Sequence, residues 1–519
     1  SHLSPDQWQQ TLRQIKSGLV GKSVKDVMRF EPLTQPDAEV LVPILYELLV
    51  ANSEAGVTWD DGLWQPIHSK RISFLLNHFH PKYSPEFYCN LGYIYCHFMQ
   101  DFEFGYELGR LGIQSMEALD LKKINCSVSK VFNGSVRFYR EPLSVSLEPL
   151  LEAHKMGIET GDFFNAGRSA IVRCQFAFMC GKELNWLKGE LSTLKLALKK
   201  IDYIIGSPEV EMLTKAVTIL MEEPSTLATG IMDQYDRVTG AEFAYPEQSH
   251  FNYQKLVLQT LFEEYEAARE TVFEMINLMK TYKDPLIDPL ANCYLSLALL
   301  AACDQVPKGE KEKILTQVHD HQETLEKLAR SAPSNFLHKY HLVEAERMRV
   351  LDGESDAILS HYDQAIALAR ESGFIHEEAL ADELAARYLL SQGQNDAARS
   401  YLRSAMEKYE AWGAKRKVAH LKSRYPGLIA DDRAEVAASP SANLDLTTML
   451  KASEAISSTL ELEPLLEILF GGEDDLAPHA ELPDGEREGP VEGENAFEDQ
   501  HTLKDFDAGC PPDVWGVGV

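Results

Sequence analysis

Residues 347–366 read RMRVLDGESDAILSHYDQAI, and residues 387–406 read RYLLSQGQNDAARSYLRSAM. Set in one frame forty residues apart, Arg347 falls on Arg387, Gly353 on Gly393, Tyr362 on Leu402 and Ala365 on Ala405. Each copy reads as a helix, a short turn at the glycine, and a second helix. A period near 40 residues, with small side chains at fixed points, marks helical hairpins that stack. One hairpin cannot bury its apolar face alone, so neighbours must share a continuous core. The expected fold is all-α: a helical-hairpin superhelix, or α-solenoid. It offers a curved surface for holding something and supplies no chemistry.

Working outward, the same tetratricopeptide-like unit extends across 85–425. Expected helix pairs are 86–99 with 102–118, 122–138 with 146–157, and 165–180 with 184–199. The stretch 201–250 is less regular and carries Pro208, Pro224 and Pro246. Pairing resumes with 253–262 and 265–279, 289–303 and 311–330, 336–351 and 355–370, and 376–390 with 396–412, capped by 414–423. Gly161, Gly373 and Gly413 stand where second helices end, and a left-handed glycine closes a helix at little steric cost. Ala166, Ala379 and Ala419 follow them by five or six residues and let neighbouring helices approach.

The ends differ from the middle. Residues 1–84 read as an irregular helical region, broken at Pro32 and Pro36, with a helix over 40–50 whose apolar run suggests burial on several sides. Residues 426–443 read as a polar linker. Residues 444–470 read as an amphipathic helix that Pro464 is expected to kink or split, and the apolar spacing suits a homodimer seam. Residues 471–519 hold 14 Asp and Glu against 2 Lys and Arg. That acidic, Gly- and Pro-rich composition predicts a disordered tail.

The 519 residues carry a net charge of −30. Phosphate-backbone binding needs a basic stripe, so nucleic acid is not an expected partner; anionic lipid is excluded on the same ground. The 8 Cys form no C-x-x-C pair and sit mostly in apolar helical runs, where a reduced thiol packs as a small hydrophobe. A reducing, cytoplasmic compartment is expected. No signal peptide or 18-residue apolar span is visible. The chain opens on Ser1, which suggests a fragment or a processed form.

Few motifs carry chemistry. Gly21-Lys22-Ser23 imitates the end of a phosphate-binding loop, but Lys16 stands where the first glycine is required and no strand precedes it. His338, His341 and Glu344 share a helical face and could hold a metal, but no fourth ligand can be named. No metal or cofactor is therefore expected. The repeated arginines Arg347 and Arg387 matter more. On a first helix lining an inner wall, they could clamp a carboxylate or phosphate; the simpler alternative is an ion pair to Glu344, Glu346 or Glu383. Arg168, Tyr340 and Glu383 join them as candidate groove contacts. Among the aromatics Tyr88, Tyr93, Tyr95, Phe98 and Phe102, packing between hairpins is the main expectation, with a minority facing the groove.

Two longer phrases carry a family resemblance. Residues 146–187 read SLEPLLEAHKMGIETGDFFNAGRSAIVRCQFAFMCGKELNWL, and residues 361–426 read HYDQAIALARESGFIHEEALADELAARYLLSQGQNDAARSYLRSAMEKYEAWGAKRKVAHLKSRYP. Both resemble the helical repeat region of very large multidomain signalling kinases. In those proteins a serine/threonine-kinase-like domain comes first, then a nucleotide-switch ATPase, the helical region, a GAF domain and a histidine kinase. Residues 444–470, LDLTTMLKASEAISSTLELEPLLEILF, resemble the helix that leads into the GAF domain. The resemblance covers roughly 1–470; beyond Phe470 an acidic tail stands in place of a GAF domain. No Walker motif, kinase catalytic-loop signature or phosphoacceptor box is present. The resemblance implies a sensor or scaffold module that docks a protein partner, the neighbouring kinase and ATPase domains, or a small ligand. The alternative from another class is an all-α enzyme with a pocket between helices.

Overall fold

Helices follow one another in chain order and pack as consecutive antiparallel pairs, so the architecture is all-α and matches a helical-hairpin array. The computed structural model describes residues 5–32, 40–45, 48, 64–76, 78–119, 122–201, 203, 207–222, 235, 245–303 and 306–429. These residues belong to one unit, Ser1–Val436. The expected amphipathic helix at 444–470, the acidic tail and most of the linker lie outside them.

The N-terminal region holds α1 (Pro5–Leu19), α2 (Val24–Val27) and α3 (Trp64–Leu75). A parallel two-residue pairing of Glu31–Pro32 with His78–Phe79 accompanies them, a detail no helical pattern announces. The helix expected at 40–50 is not buried on several sides. Of its described residues Val42 is buried, while Val40, Ile44 and Leu48 face outward.

The array proper begins with α4 (Ser84–His97), α5 (Phe102–Ala118), α6 (Lys122–Ser135), α7 (Leu147–Thr160), α8 (Phe163–Met179), α9 (Leu184–Lys200) and α10 (Ser207–Met221). It continues as α11 (Tyr245–Leu261), α12 (Tyr265–Thr281), α13 (Ile287–Ala302), α14 (Lys308–Ser331), α15 (Pro333–Val350), α16 (Ser355–Ser372), α17 (Ile375–Ser391), α18 (Asn395–Trp412), α19 (Lys415–Arg424) and α20 (Pro426–Ile429). Several boundaries depart from expectation, among them α11, which begins at Tyr245 rather than at residue 253. The helix read over 122–138 stops at Ser135 and gives way to 3-10 turns at Arg137–Tyr139 and Leu143–Ser146. The stretch read as irregular contains α10.

The repeated phrase marks a buried stripe. On α18 the buried residues are Ala398, Leu402, Ala405, Tyr409 and Trp412, spaced four, three, four and three apart. On α16 they include Ile358, Tyr362, Ala365 and Ala369. That spacing keeps one face of a 3.6-residue helix against the core and leaves the other in water. First helices are enclosed more fully: α4 buries 12 of 14 residues, α13 13 of 16 and α17 13 of 17.

Glycines do two jobs here. Gly373 and Gly413 end α16 and α18 at φ 79° and 95°. There Phe374 and Ala414 donate their N–H back to Ala369 and Tyr409, the closing pattern of a helix C-terminus. Between α4 and α5 the need is for space: a Cβ on Gly92 would lie 2.5 Å from the Gly105 carbonyl oxygen, so only glycine permits that approach.

The early and late helices are bound together by hydrogen bonds that span much of the chain. Asn335 donates to the Phe138 and Glu141 carbonyls at 2.7 Å each and accepts from the Leu143 N–H at 2.8 Å. Ser331 donates to the Tyr139 carbonyl at 2.7 Å. Lys417 donates to the Leu261 carbonyl. The Phe178 and Trp412 rings lie 6.2 Å apart.

Candidate functional site

The buried face of α17 is charged, and its charges are matched. Glu377 accepts from Lys339 and lies 2.5 Å from His338 Nε2. Glu378 pairs with Arg370 at 2.7 Å and Lys408 at 3.1 Å. Asp382 takes Lys408 at 2.6 Å and the Ser404 hydroxyl at 2.9 Å. Glu383 takes Lys417 at 2.8 Å and the Tyr409 hydroxyl at 3.0 Å. Burial opposes ionisation of Glu377, but Lys339 and the His338 hydrogen bond outweigh it and hold the carboxyl well below its usual range. Burial, with Lys339, pushes His338 down to about 4. A buried charge persists only when paired in this way.

The groove candidates fall into three places. Arg347 grips Glu344 on its own helix, Nε to Oε2 at 2.9 Å and Nη2 to Oε1 at 2.5 Å. This is one of the ion pairs weighed as the simpler alternative. Tyr340 lies two turns earlier on α15, partly buried against the core, with its ring 5.4 Å from His341. Arg387 crosses to α12, where it donates to the Tyr265 hydroxyl and lies 4.0 Å from Glu263. The void beside it, about 10 Å³, admits about one water. Glu383, one turn away on α17, faces Lys417 and Tyr409. Arg168, on α8, donates to Glu209 at 2.5 Å. The five therefore do not converge on one site.

The metal candidates also diverge. His338 turns to Glu377, His341 Nδ1 faces His361 Nδ1 at 2.9 Å, and Glu344 takes Arg347 and Gln322. Among the described residues, no three His, Cys, Asp or Glu gather closely enough to hold a metal ion. The seven described cysteines are buried and form no disulfide with one another. Burial pushes the Cys126, Cys174 and Cys180 thiols up to about 12.

Open space lies elsewhere, where the end of α4 meets α12, α13 and α14. A cavity of about 340 Å³ is lined there by His97, Phe98, Phe102 and Tyr139 from the early helices and by Lys283, Asp288, Thr324 and Lys327 from the late ones. Phe98 and Phe102 are thus the members of the aromatic cluster that border open space, while Tyr88 and Tyr95 are buried in packing. The His97 side chain is 6% exposed. Its Nδ1 lies 3.2 Å from the Tyr139 hydroxyl, which also lies 3.3 Å from the Pro285 carbonyl. Among the described residues its Nε2 has no hydrogen-bond partner, and it stands 3.9 Å from Asp288 Oδ2. Burial and Lys283 hold His97 down at about 3, so the imidazole is neutral. Burial and the adjacent Asp284 push Asp288 well above its usual range. Sequence reading missed His97 and Asp288. The only local signal was the doubled Asp-Pro at 284–285 and 288–289, which opens α13.

No protein-family model matches the chain, and no curated protein matches it. Among the described residues, no helix is long and apolar enough to cross a membrane.

Proposed function

We propose that this chain is a non-catalytic sensor or scaffold repeat module of a multidomain signal-transduction kinase or ATPase. It holds a protein segment or a small ligand and passes that occupancy to neighbouring domains. One observation carries the reading: helix hairpins succeed one another from Ser84 to Trp412 with a shared core. Such stacks present surface and fixed spacing. The charged face of α17 supports it, because its acids and bases are satisfied by each other inside the fold. The phrases at 146–187 and 361–426 supply the signalling context, and buried free thiols suit a cytoplasmic setting. A ligand shifts a neighbouring switch only by binding its two states unequally.

The test is binding of the full chain to separately expressed kinase-like, ATPase and histidine-kinase domains, with Arg347→Ala and Arg387→Ala beside the parent. Micromolar or tighter binding to one domain is expected. No binding to any of them sinks the scaffold reading, and unchanged affinity in both variants removes the arginines from the interface. Sedimentation of the chain cut at residue 430 checks the homodimer: an unchanged oligomeric state dismisses a seam at 444–470.

A second reading, an all-α enzyme, draws on the neutral His97 facing Asp288 in the cavity. Turnover of a bound compound, lost in Asp288→Asn, would favour it over the first.

A further inference from the structure

Only one placement of protons makes both contacts of the Tyr139 hydroxyl into hydrogen bonds. A carbonyl oxygen can only accept, so the Tyr139 O–H donates to Pro285. The His97 Nδ1–H then donates to the Tyr139 oxygen. In a neutral imidazole the other nitrogen is then a bare acceptor, and here that is Nε2, enclosed and without a hydrogen-bond partner among the described residues. A buried acceptor without a donor is costly, and this one borders a cavity.

Asp288 Oδ2 stands opposite, 3.9 Å from Nε2. That gap is too long for a direct hydrogen bond. One hydroxyl seated beside both atoms fills it and donates to Nε2. The walls on either side are apolar, formed by Phe98, Phe102, Met279 and Leu328. At the mouth stand two exposed lysines, Lys283 and Lys327, on a chain whose net charge is −30. A volume of about 340 Å³ sits at the small end of the usual range for small-molecule sites, roughly 300–1,000 Å³.

We infer that this cavity binds a small aromatic acid carrying a hydroxyl. The ring lies against Phe98 and Phe102, the hydroxyl donates to His97 Nε2 beside Asp288, and the carboxylate faces Lys283 and Lys327. The inference rests on the reading of the chain as a ligand-holding module and names the ligand class. Because early and late helices both line the cavity, the ligand touches the two parts of the array at once.

The experiment is calorimetric titration of the full chain with 4-hydroxycinnamate. Cinnamate lacks the hydroxyl and 4-hydroxycinnamyl alcohol lacks the carboxylate, so the pair separates the two polar ends. Saturable 1:1 binding of 4-hydroxycinnamate is expected, with roughly tenfold weaker binding of each comparator. Lys283→Gln combined with Lys327→Gln, both exposed and compatible with folding, is expected to weaken the acid about tenfold while leaving the alcohol unchanged. His97→Phe, checked for native helicity, is expected to erase the preference for the hydroxyl. Absence of saturable binding overturns the inference, as does equal affinity for cinnamate or an unaffected lysine variant. Docking to kinase or ATPase domains is measured separately, so failure here leaves that broader reading standing.

Discussion

Replacing Glu377 with glutamine removes the charge that holds Lys339 inside the protein. Both side chains are nearly closed to water, at 2% and 3% exposed, and the carboxylate also serves His338. Breaking one partner of a buried pair costs about 3–5 kcal/mol, because the remaining charge is stranded. Two neighbours soften the loss: Lys339 Nζ lies 3.1 Å from His338 Nε2 and 4.4 Å from the centre of the Phe374 ring. The lower end, about 3 kcal/mol, is therefore expected. At a urea dependence of about 3 kcal/mol per molar, that lowers the unfolding midpoint by roughly 1 M. Circular dichroism at graded urea reads it directly. The double replacement Lys339→Met with Glu377→Leu takes both charges away and is expected to recover most of the loss. A single variant within about 0.5 kcal/mol of the parent, or a double variant no better than the single, would refute the claim that this pair is buried and coupled.

Acidification supplies another check. His97 is held at about 3, and His321, His338 and His376 at about 4, against an ordinary 6.5. The unfolded chain therefore takes up protons first, and stability falls as pH drops from 6.5 toward 4, by up to about 1.4 kcal/mol per unit for each histidine. Asp288, Glu247 and Asp382 are raised and act in the opposite sense, while His68, His341 and His420 are also lowered and add to the fall; urea midpoints that stay flat between pH 7 and pH 5 contradict the burial of these rings. Gly92→Ala pushes a methyl against the Gly105 carbonyl and is expected to cost about 1–3 kcal/mol, with an unchanged melting temperature counting against the close α4–α5 packing. In a Cys510→Ser chain the seven remaining thiols are buried, so a thiol reagent should label none quickly in native buffer and all seven in denaturant; rapid native labelling refutes the packing.

The stripe of the array was legible because it is local. Tyr362 and Ala365, or Leu402 and Ala405, declare a buried face through spacing alone, and that face is where the structure places them. The repeated arginines show where periodicity runs out. Arg347 has Glu344 one turn before it, while the residue in that frame before Arg387 is Leu384. With Glu383, one turn before it, already taken by Lys417 and Tyr409, Arg387 reaches across to Tyr265. The turns differ for a similar reason. Gly393 takes the left-handed conformation itself, at φ 73°, whereas in the other copy Asp352 does so at φ 54°, one residue before Gly353. Beyond the doubled Asp-Pro at the start of α13, the cavity had no local signature, since His97, Tyr139 and Asp288 meet only after long-range packing.

That cavity lies where the chain's early and late helices are already cross-linked through Tyr139 and Asn335. A ligand there must therefore act on the junction itself. Occupancy at about one hundred times the dissociation constant adds about 2.7 kcal/mol to the folded state if the unfolded chain does not bind. A ligand that also distinguished two arrangements of the junction would shift their balance by its difference in affinity and no more. Comparing the stabilisation by 4-hydroxycinnamate in the parent and in Asn335→Ala separates these effects. An equal gain in both means that the ligand reports only on folding. A gain that shrinks when the Asn335 cross-link is lost means that ligand and junction are coupled, as a sensing module requires.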